Sequence, residues 1–357
     1  MSRFHAATIV EKTNDTADSI VLTLAVAPEV ADRFAYRQGQ HLPIRAEIDG
    51  VSVRRTYSIC SSVEERCLRL GIRVQEGGVF SNHVADHLRV GDELEAMPPN
   101  GRFNIPLTPD RAKSYAAFVS GSGMSPIYSI VKTTLETEPA SRFIVFYGNR
   151  KRATTMFIEP LFALKNRFPE RLALHFVMSR EPSALDLYVG RLDAAKVTQL
   201  HAAVMAEMRA DDVFLCGPNP MIDEVAEALV GLGYGPEQLH SERFRAGASG
   251  EPAPRPTATV TPKEGASITV VLDGQRESFH MGPEHASVLD AAQASGLDLP
   301  YSCEGGVCST CRTLLTRGET EMALNYTLEE WEVERGFILT CQAIPKTPEI
   351  EIDFDQT

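Results

Sequence analysis

The chain contains Cys303-Glu304-Gly305-Gly306-Val307-Cys308-Ser309-Thr310-Cys311, and Cys341 follows after 29 intervening residues. This spacing, C-x₄-C-x₂-C…C, is typical of plant-type [2Fe–2S] ligands. Structural zinc sites more often consist of two separate C-x₂₋₄-C pairs, so zinc is the less favoured alternative. Gly305 and Gly306 are expected to adopt positive φ and to turn backbone N–H groups toward sulfur. The stretch therefore predicts a [2Fe–2S] cluster held by Cys303, Cys308, Cys311 and Cys341.

The length and composition suggest a multidomain protein. The chain has 357 residues, of which 43% are hydrophobic, and this length suggests two or three domains. No apolar run reaches the length of a membrane span, and the first residues lack the apolar segment of a signal peptide. No membrane contact is therefore expected, and the expected compartment is cytoplasmic. The remaining cysteines, Cys60, Cys67 and Cys216, are then expected to be free thiols.

Negative charge is concentrated in the C-terminal part of the chain. Residues 267–357 contain 16 Asp and Glu against 5 Lys and Arg, so they carry −11 of the formal net charge of −13. An acidic domain argues against a nucleic-acid partner and favours electrostatic steering toward a basic patch on a protein partner. Greater solubility is the alternative explanation for this charge.

Hydrophobic patterning divides the chain into three predicted domains and a linker. Residues 1–107 contain short alternating runs separated by turn residues, which predicts a small antiparallel β-barrel. Residues 112–245 alternate strand and helix patterns, which predicts a doubly wound α/β domain with a parallel sheet. Residues 246–266 are rich in Pro, Gly and Ala and predict a linker. Residues 267–357 then predict a small α+β domain that contains the cluster loop.

Two motifs of the first domain have the chemistry to bind a planar ring and a diphosphate. In Arg55-Thr56-Tyr57-Ser58, a guanidinium can hold diphosphate, an aromatic ring can stack on a planar ring, and a hydroxyl can hydrogen-bond a ring nitrogen. In Gly77-Gly78-Val79-Phe80-Ser81, a glycine turn can present backbone N–H groups and a hydroxyl to phosphate. An ordinary edge strand and a plain hairpin turn are the respective alternatives.

Loops that follow the strands of the second domain contain further candidates. Gly121-Ser122-Gly123 lies between a strand and a helix, where pyrophosphate can bind the helix N-terminus, although Pro126 replaces the third glycine of the Rossmann fingerprint. Asn149-Arg150, Ser179-Arg180 and Cys216 lie at the ends of predicted strands, where nucleotides bind such sheets. Solvated charges are the alternative for the arginines, and a small buried side chain is the alternative for Cys216.

Taken in order, these motifs resemble those of the ferredoxin–NADP reductase family. The residues that carry the resemblance are Arg55-x-Tyr57-Ser58, Gly77-Gly78-x-x-Ser81, Gly121-x-Gly123-x-x-Pro126, Tyr147-Gly148-Asn149-Arg150 and Cys216-Gly217-Pro218. The resemblance implies that the C-terminal domain is a β-grasp ferredoxin domain. With that domain, the chain is similar to the reductase components of bacterial oxygenases.

The resemblance implies a role for each matching position. The residues that would contact FAD are Arg55, Tyr57, Ser58, Arg73, Val74, Gly78, Ser81, Glu242 and Phe244. Those that would face the nicotinamide nucleotide are Gly121, Gly123, Ser125, Asn149, Arg150 and Cys216. Hydride transfer would take place among Tyr57, Ser58, Cys216 and Glu242. Ser179, Arg180 and Tyr188 resemble a 2′-phosphate site, which favours NADPH, with NADH as the alternative.

The resemblance also implies a function. The nicotinamide nucleotide would give hydride to FAD, and electrons would pass singly through the [2Fe–2S] cluster to a separate oxygenase that docks on the acidic ferredoxin domain. The implied acceptor is a di-iron epoxidase of an aromatic acyl-CoA. A Rieske or steroid hydroxylase supplied from NADH is one alternative. A redox carrier or sensor without an oxygenase is another, although no DNA-binding motif supports it.

Overall fold

The computed structural model describes residues 4–206, 208–244 and 265–356. The chain divides into two compact units, of which the larger holds most of the first two predicted domains and the smaller holds the predicted ferredoxin domain. The predicted linker, 246–266, lies outside the described residues except for 265 and 266, so it stays a prediction, as do the domain boundaries. In the part of the chain that the structure describes, every helix is too short or too polar to cross a lipid bilayer.

The first part of the chain folds into a six-stranded sheet with one helix. Its elements are β1 (His5–Thr16), β2 (Ser19–Val26), β3 (His41–Ile48), β4 (Val51–Ser58), β5 (Leu68–Arg73), α1 (Val79–Asp86) and β6 (Glu93–Ala96). The strand order is β4-β3-β6-β1-β2-β5, with antiparallel pairing. Ile9, Leu22, Leu42 and Leu70 point to one side and are buried with Phe80 of α1. The predicted antiparallel β domain is therefore confirmed, and it is called the barrel below.

The second part of the chain forms a five-stranded parallel sheet. Its elements are β7 (Ser114–Ser120), α2 (Met124–Thr137), β8 (Arg142–Asn149), α3 (Ile158–Arg167), β9 (Leu172–Met178), α4 (Ala194–Leu200), β10 (Asp212–Gly217), α5 (Asn219–Gly231) and β11 (Leu239–Arg243). The strand order is β11-β10-β7-β8-β9. Helices α2 and α3 cover one face and α4 and α5 the other, which explains why residues 115–119 of β7 are all buried and all apolar. The predicted doubly wound α/β domain is confirmed.

Short helical turns connect several of these elements. The 3-10 turns are Pro28–Phe34, Val63–Glu65, Gly121–Gly123, Arg152–Thr154, Asp186–Tyr188 and Pro236–Gln238, and a π-helical turn spans His201–Met205. The turn at residues 121–123 matters most for function, because it lies between β7 and α2 at the carboxyl edge of the parallel sheet.

The barrel and the parallel-sheet domain are joined by hydrogen bonds within the larger unit. Ser129 Oγ of α2 donates to the carbonyl of Ser61 at 2.7 Å. The Asp15 carboxylate of β1 accepts from the backbone N–H of Phe157 at 3.0 Å. Gly71 of β5 has no room for a side chain, because a Cβ there would lie 2.5 Å from the ring of Phe157. This close packing fixes the loops that the two domains contribute to the candidate site.

We expect Glu65, in the same contact region, to give the larger unit a pH-dependent stability. Burial alone would raise the pKa of Glu65, but Lys132 at 2.8 Å, the Ser62 N–H and Arg69 outweigh burial and lower the pKa to about 2. A carboxyl whose pKa falls on folding stabilises the protein above its unfolded pKa and loses that effect as the pH drops toward the folded value. Glu65→Gln should therefore lower the free energy of unfolding by about 1–2 kcal/mol at pH 7.

Urea unfolding of both proteins, followed by far-UV circular dichroism, measures this difference at several pH values. The difference between wild type and Glu65→Gln should shrink steadily from pH 4.5 toward pH 2. A difference that stays constant over this range would show that the Glu65 charge does not stabilise the unit.

The C-terminal part of the chain forms a small mixed sheet with two helices. Its elements are β12 (Ala266–Leu272), β13 (Gln275–Met281), α6 (Val288–Ala294), β14 (Arg312–Arg317), β15 (Thr320–Met322), α7 (Glu330–Glu334), β16 (Phe337–Leu339), β17 (Ala343–Pro345) and β18 (Glu349–Asp353). One sheet has the order β13-β12-β18-β14-β16, in which only β12 and β18 are parallel, and β15 pairs with β17. The cluster loop lies between α6 and β14. The predicted α+β domain is confirmed.

Candidate functional site

The turn between β7 and α2 packs directly against the end of β10. Gly121 has φ +57°, and its carbonyl accepts a hydrogen bond from Tyr147 Oη at 2.8 Å. A Cβ at Gly123 would lie 2.5 Å from the carbonyl oxygen and 3.0 Å from Sγ of Cys216. The two glycines are therefore required by a positive φ and by a close backbone contact, respectively. Ser125 lies in the first turn of α2, buried, with its hydroxyl 3.4 Å from the carbonyl of Gly71.

Two side chains predicted at the flavin, Ser58 and Glu242, are in contact. Ser58 Oγ at the end of β4 donates to Glu242 Oε2 of β11 at 3.2 Å. Glu242 lies opposite Cys216 in the register of β10 and β11. Burial raises the pKa of the Cys216 thiol well above its usual value, and the negative charge of Glu242 adds to this effect. Cys216 is therefore a neutral thiol, which suits a packing contact for a nicotinamide ring better than a nucleophile.

The other flavin candidates of the barrel lie on β4 and at the start of α1. Arg55 and Tyr57 point to the same side of β4, because side chains alternate along a strand. Arg55 is exposed, and the half-buried ring of Tyr57 lies 6.0 Å from that of Phe80. Gly78 precedes the first turn of α1 and packs on Ser81, since a Cβ there would lie 2.6 Å from Ser81 Oγ. Tyr57 and the start of α1 thus provide an aromatic face and a helix N-terminus, which suit the ring and the phosphates of a flavin dinucleotide.

Arg73 and Val74 are held mainly by other parts of the protein. The Arg73 guanidinium pairs with the Asp18 carboxylate and donates to the Thr154 carbonyl at 2.8 Å. The Val74 N–H donates to the Asp18 carbonyl at 2.8 Å. Arg73 thus links the barrel to the parallel-sheet domain, and contact of Arg73 and Val74 with FAD stays a prediction.

The candidates for the adenosine end of the nucleotide meet at the ends of β8 and β9. The Ser179 N–H donates to the Asn149 carbonyl at 2.9 Å, and the Arg180 N–H donates to the Arg150 carbonyl at 3.0 Å. Asn149 is buried, whereas the side chains of Arg150 and Arg180 are exposed. The structure therefore brings two arginines together at the edge where the sequence predicts a phosphate group.

Tyr188, the third member of the predicted 2′-phosphate site, contacts a histidine of the protein. Its hydroxyl lies 2.9 Å from Nδ1 of His175, and the two rings stack with centroids 5.7 Å apart. His175 is in β9, four residues before Ser179. Burial lowers the pKa of His175, and the nearby Lys165 adds to this effect, so the ring is neutral near pH 7. The hydroxyl of Tyr188 is thus bound within the protein, and its contact with phosphate stays a prediction.

Phe244 follows β11 and packs against the apolar cluster that includes Cys216.

The cysteines of the C-terminal domain interact as two pairs. A hydrogen bond from Cys308 lowers the pKa of Cys303 to about 6, and the corresponding interaction with Cys341 raises the pKa of Cys311. The Gly305 N–H donates to Cys303 Sγ at 3.3 Å. A [2Fe–2S] centre takes two protein ligands at each iron, whereas zinc would gather all four thiolates around one ion. Within the described ranges, no three or more His, Cys, Asp or Glu side chains are arranged to hold a single metal ion.

The backbone of the cluster loop differs from the expectation in one respect. Gly306 has the predicted positive φ (+73°), whereas Gly305 does not, and Glu304 and Ser309 adopt positive φ instead. Gly306 is confined, because a Cβ there would lie 3.0 Å from the Leu324 carbonyl. The expectation for Gly305 was therefore wrong about its φ but right about its N–H group, which points to sulfur.

Sequence reasoning missed two residues at these sites. His41 Nδ1 lies 3.4 Å from Glu242 Oε1, and its side chain is only 7% exposed. Gln342 Nε2 lies 3.7 Å from Cys341 Sγ and donates to the Glu304 carbonyl at 3.0 Å. The signal available for His41 was a polar residue next to the Gly39-Gln40 turn, directly before the apolar run Leu42-Pro43-Ile44.

Comparison with known protein families covers most of the chain. Residues 6–105 match the oxidoreductase FAD-binding domain, residues 119–227 the oxidoreductase NAD-binding domain, and residues 270–346 the 2Fe-2S iron-sulfur cluster binding domain. These matches confirm the FAD, nicotinamide-nucleotide and [2Fe–2S] cofactors predicted from the sequence. They do not distinguish NADPH from NADH.

Individual relatives match along almost the whole chain. The chain is 38% identical over 356 residues to a subunit of the 1,2-phenylacetyl-CoA epoxidase of Escherichia coli (strain K12), with 99% of each chain covered. It is 33% identical to the ferredoxin reductase component of the 3-ketosteroid-9-alpha-monooxygenase of Rhodococcus rhodochrous, covering 99% of this chain and 97% of the relative. Among solved structures, phthalate dioxygenase reductase matches with a TM-score of 0.60 at 23% identity, covering 98% of both chains.

Proposed function

This chain belongs to the ferredoxin reductase family of electron-transfer oxidoreductases with FAD-binding, NAD-binding and [2Fe–2S] domains, and from that premise we propose that it carries electrons from NADPH to a partner oxygenase. The proposed partner is the di-iron phenylacetyl-CoA epoxidase of aerobic phenylacetate catabolism. The observation that carries this choice is the 38% identity to the Escherichia coli epoxidase component over 99% of both chains. Within the cell, we expect it to act in the cytoplasm.

The site residues support each part of this function. FAD, when bound, accepts two electrons as hydride and releases them one at a time. Arg55 and the first turn of α1 would hold its phosphates, and Tyr57 would cover its ring. Gly123 and the neutral thiol of Cys216 would leave room for the nicotinamide ring beside it. Cys303, Cys308, Cys311 and Cys341 would hold the cluster that accepts single electrons.

The acidic ferredoxin domain is the proposed docking surface for the oxygenase. Residues 267–357 carry −11 of the net charge, and Glu329, Glu330 and Glu334 on or beside α7 are exposed. Such a surface would speed association with a basic patch on the acceptor, and the rate would fall as salt screens the charges.

A second candidate function is supply to a steroid or Rieske-type hydroxylase, with NADH as the donor. The observation that favours it is the 33% identity to the Rhodococcus reductase component over 99% of this chain. An assay with purified oxygenase components separates the two. We expect phenylacetyl-CoA epoxidation that depends on this protein and NADPH. Turnover of a steroid hydroxylase with no turnover of the epoxidase would overturn the proposed partner.

We expect Arg180→Gln to weaken NADPH specifically, because a neutral side chain loses the attraction of an arginine for a 2′-phosphate dianion. The KM for NADPH should rise by about tenfold while that for NADH stays unchanged. Stopped-flow flavin reduction with each nucleotide measures the effect.

Arg167→Gln is the matched control for this experiment. Arg167 is another exposed arginine, but it lies at the C-terminal end of α3 and so at the opposite edge of the sheet. The control should leave both KM values unchanged. An equal loss of NADPH and NADH affinity in Arg180→Gln would rule out 2′-phosphate recognition by this side chain.

A further inference from the structure

Three buried polar side chains from three different strands form a chain of contacts beside the proposed hydride-transfer site. His41 opens β3, Ser58 ends β4 and Glu242 lies on β11. His41 Nδ1 is 3.4 Å from Glu242 Oε1, and Ser58 Oγ is 3.2 Å from Glu242 Oε2. The side chains of His41 and Glu242 are 7% and 10% exposed. Each oxygen of the carboxylate thus has its own partner from the barrel.

The direction of these hydrogen bonds follows from the chemistry of the carboxylate. An ionised carboxylate only accepts, so Nδ1 of His41 and the hydroxyl of Ser58 both donate to Glu242. The hydroxyl hydrogen of Ser58 is then used in the hydrogen bond to Glu242, so Ser58 Oγ can only accept a hydrogen bond from another neighbour. Ser58 would therefore be an acceptor toward a flavin bound beside it.

The backbone around His41 holds the imidazole in place. The His41 N–H donates to the Asn100 carbonyl at 2.9 Å, and the Asn100 N–H donates to the His41 carbonyl at 3.0 Å. Gly101 packs against the ring, since a Cβ there would lie 2.9 Å from Nδ1. The ring is thus fixed between the barrel and Glu242. A buried carboxylate needs such a partner, because an unpaired buried charge is strongly unfavourable.

We propose that His41 is a positioning residue for hydride transfer: it fixes Glu242 so that Ser58 presents its oxygen, rather than its hydrogen, to the flavin. This inference rests on the proposed function. Hydride transfer moves one hydrogen with two electrons from the nicotinamide to a flavin ring nitrogen, and the three side chains lose and gain no atoms. Because that nitrogen becomes an N–H group, an acceptor beside it favours the reduced ring and the transition state that leads to it.

The first test compares two replacements of His41 in the FAD-loaded, full-length protein. His41→Leu fills the space but cannot donate, whereas the amide nitrogen of His41→Asn can take the place of Nδ1. Stopped-flow reduction by NADPH should slow by about tenfold in His41→Leu, with the dissociation constant for NADPH unchanged, and should largely recover in His41→Asn. Ser58→Ala should show the same defect as His41→Leu. Equal rates in all variants, or equal losses in the leucine and asparagine variants, would overturn the proposal.

The second test determines directly which imidazole nitrogen of His41 carries hydrogen, by ¹⁵N NMR of the oxidised protein with ¹⁵N-labelled histidine. We expect hydrogen on Nδ1 of His41 and a change of tautomer in Glu242→Ala. His240 is the internal control, because it lies on the same strand and contacts Asp212 through Nε2 at 2.9 Å. Its signals should not change unless β11 itself is disturbed. Hydrogen only on Nε2 of His41 in the wild type would overturn the proposal.

The two tests separate this inference from the proposed function. If neither nucleotide reduces the wild-type flavin, the proposed function fails and the positioning role fails with it. If the wild-type flavin is reduced but His41→Leu behaves like wild type, only the positioning role fails.

Discussion

Replacing Cys341 by serine is expected to abolish electron transfer beyond the flavin while leaving flavin reduction intact. Cys341 is 5% exposed and interacts with Cys311, and its loss would remove the predicted ligand that comes from outside the cluster loop. A serine hydroxyl is a poor substitute for thiolate at an iron–sulfur centre. We expect reduction of cytochrome c by NADPH to fall on the order of 100-fold, together with loss of the cluster absorption bands.

The control for this prediction is Cys67→Ser. Cys67 is a half-buried free thiol of the barrel, outside the four predicted ligands, and the same change there should leave the cluster bands and cytochrome c reduction unchanged. Flavin reduction by NADPH should proceed at the wild-type rate in both variants. Full cytochrome c reduction in Cys341→Ser would remove Cys341 from the electron path.

Replacing Gly123 by alanine should block the nicotinamide end of the site. The new Cβ would lie 2.5 Å from the backbone oxygen and 3.0 Å from Sγ of Cys216, so either the turn or the end of β10 must shift. Misplacement of a reacting group by about 1 Å can cost about 100-fold in rate. We therefore expect reduction of bound FAD by NADPH to slow on the order of 100-fold, whereas dithionite should reduce the same FAD normally.

Gly231→Ala is the matched control, because this glycine at the end of α5 has open space where a Cβ would be. That variant should reduce FAD at the wild-type rate. If Gly123→Ala is also reduced by NADPH at the wild-type rate, the nicotinamide does not approach through this turn. Loss of FAD from Gly123→Ala would show that the turn supports the flavin instead.

The parts of the site that the sequence predicted well depend on short-range patterns. The cysteine spacing, the glycine turn after β7 and the alternating strands are local features whose geometry follows from a few neighbouring residues. Helix α2 begins at Met124, two residues before Pro126, and the proline is tolerated because it lies in the first turn of the helix.

The parts that the sequence did not predict depend on contacts between distant residues. His41 and Glu242 are 201 positions apart, and no local pattern connects them. Arg73 is bound by Asp18 and Thr154, and Tyr188 by His175, so two side chains with suitable chemistry are engaged by the protein itself. The sequence shows which ligands a guanidinium or a phenol is able to bind. The partners that it actually contacts depend on the tertiary structure.

The most direct test of the electron path is an anaerobic titration of the purified protein with NADPH and, separately, with NADH, followed by visible absorption. We predict that NADPH bleaches both the flavin and the cluster bands, and at a far lower concentration than NADH does. Equal effectiveness of NADH would refute NADPH specificity while leaving the path intact. Bleaching of the flavin while an intact cluster stays oxidised would contradict the path itself, because the ferredoxin domain would then not be the exit for electrons.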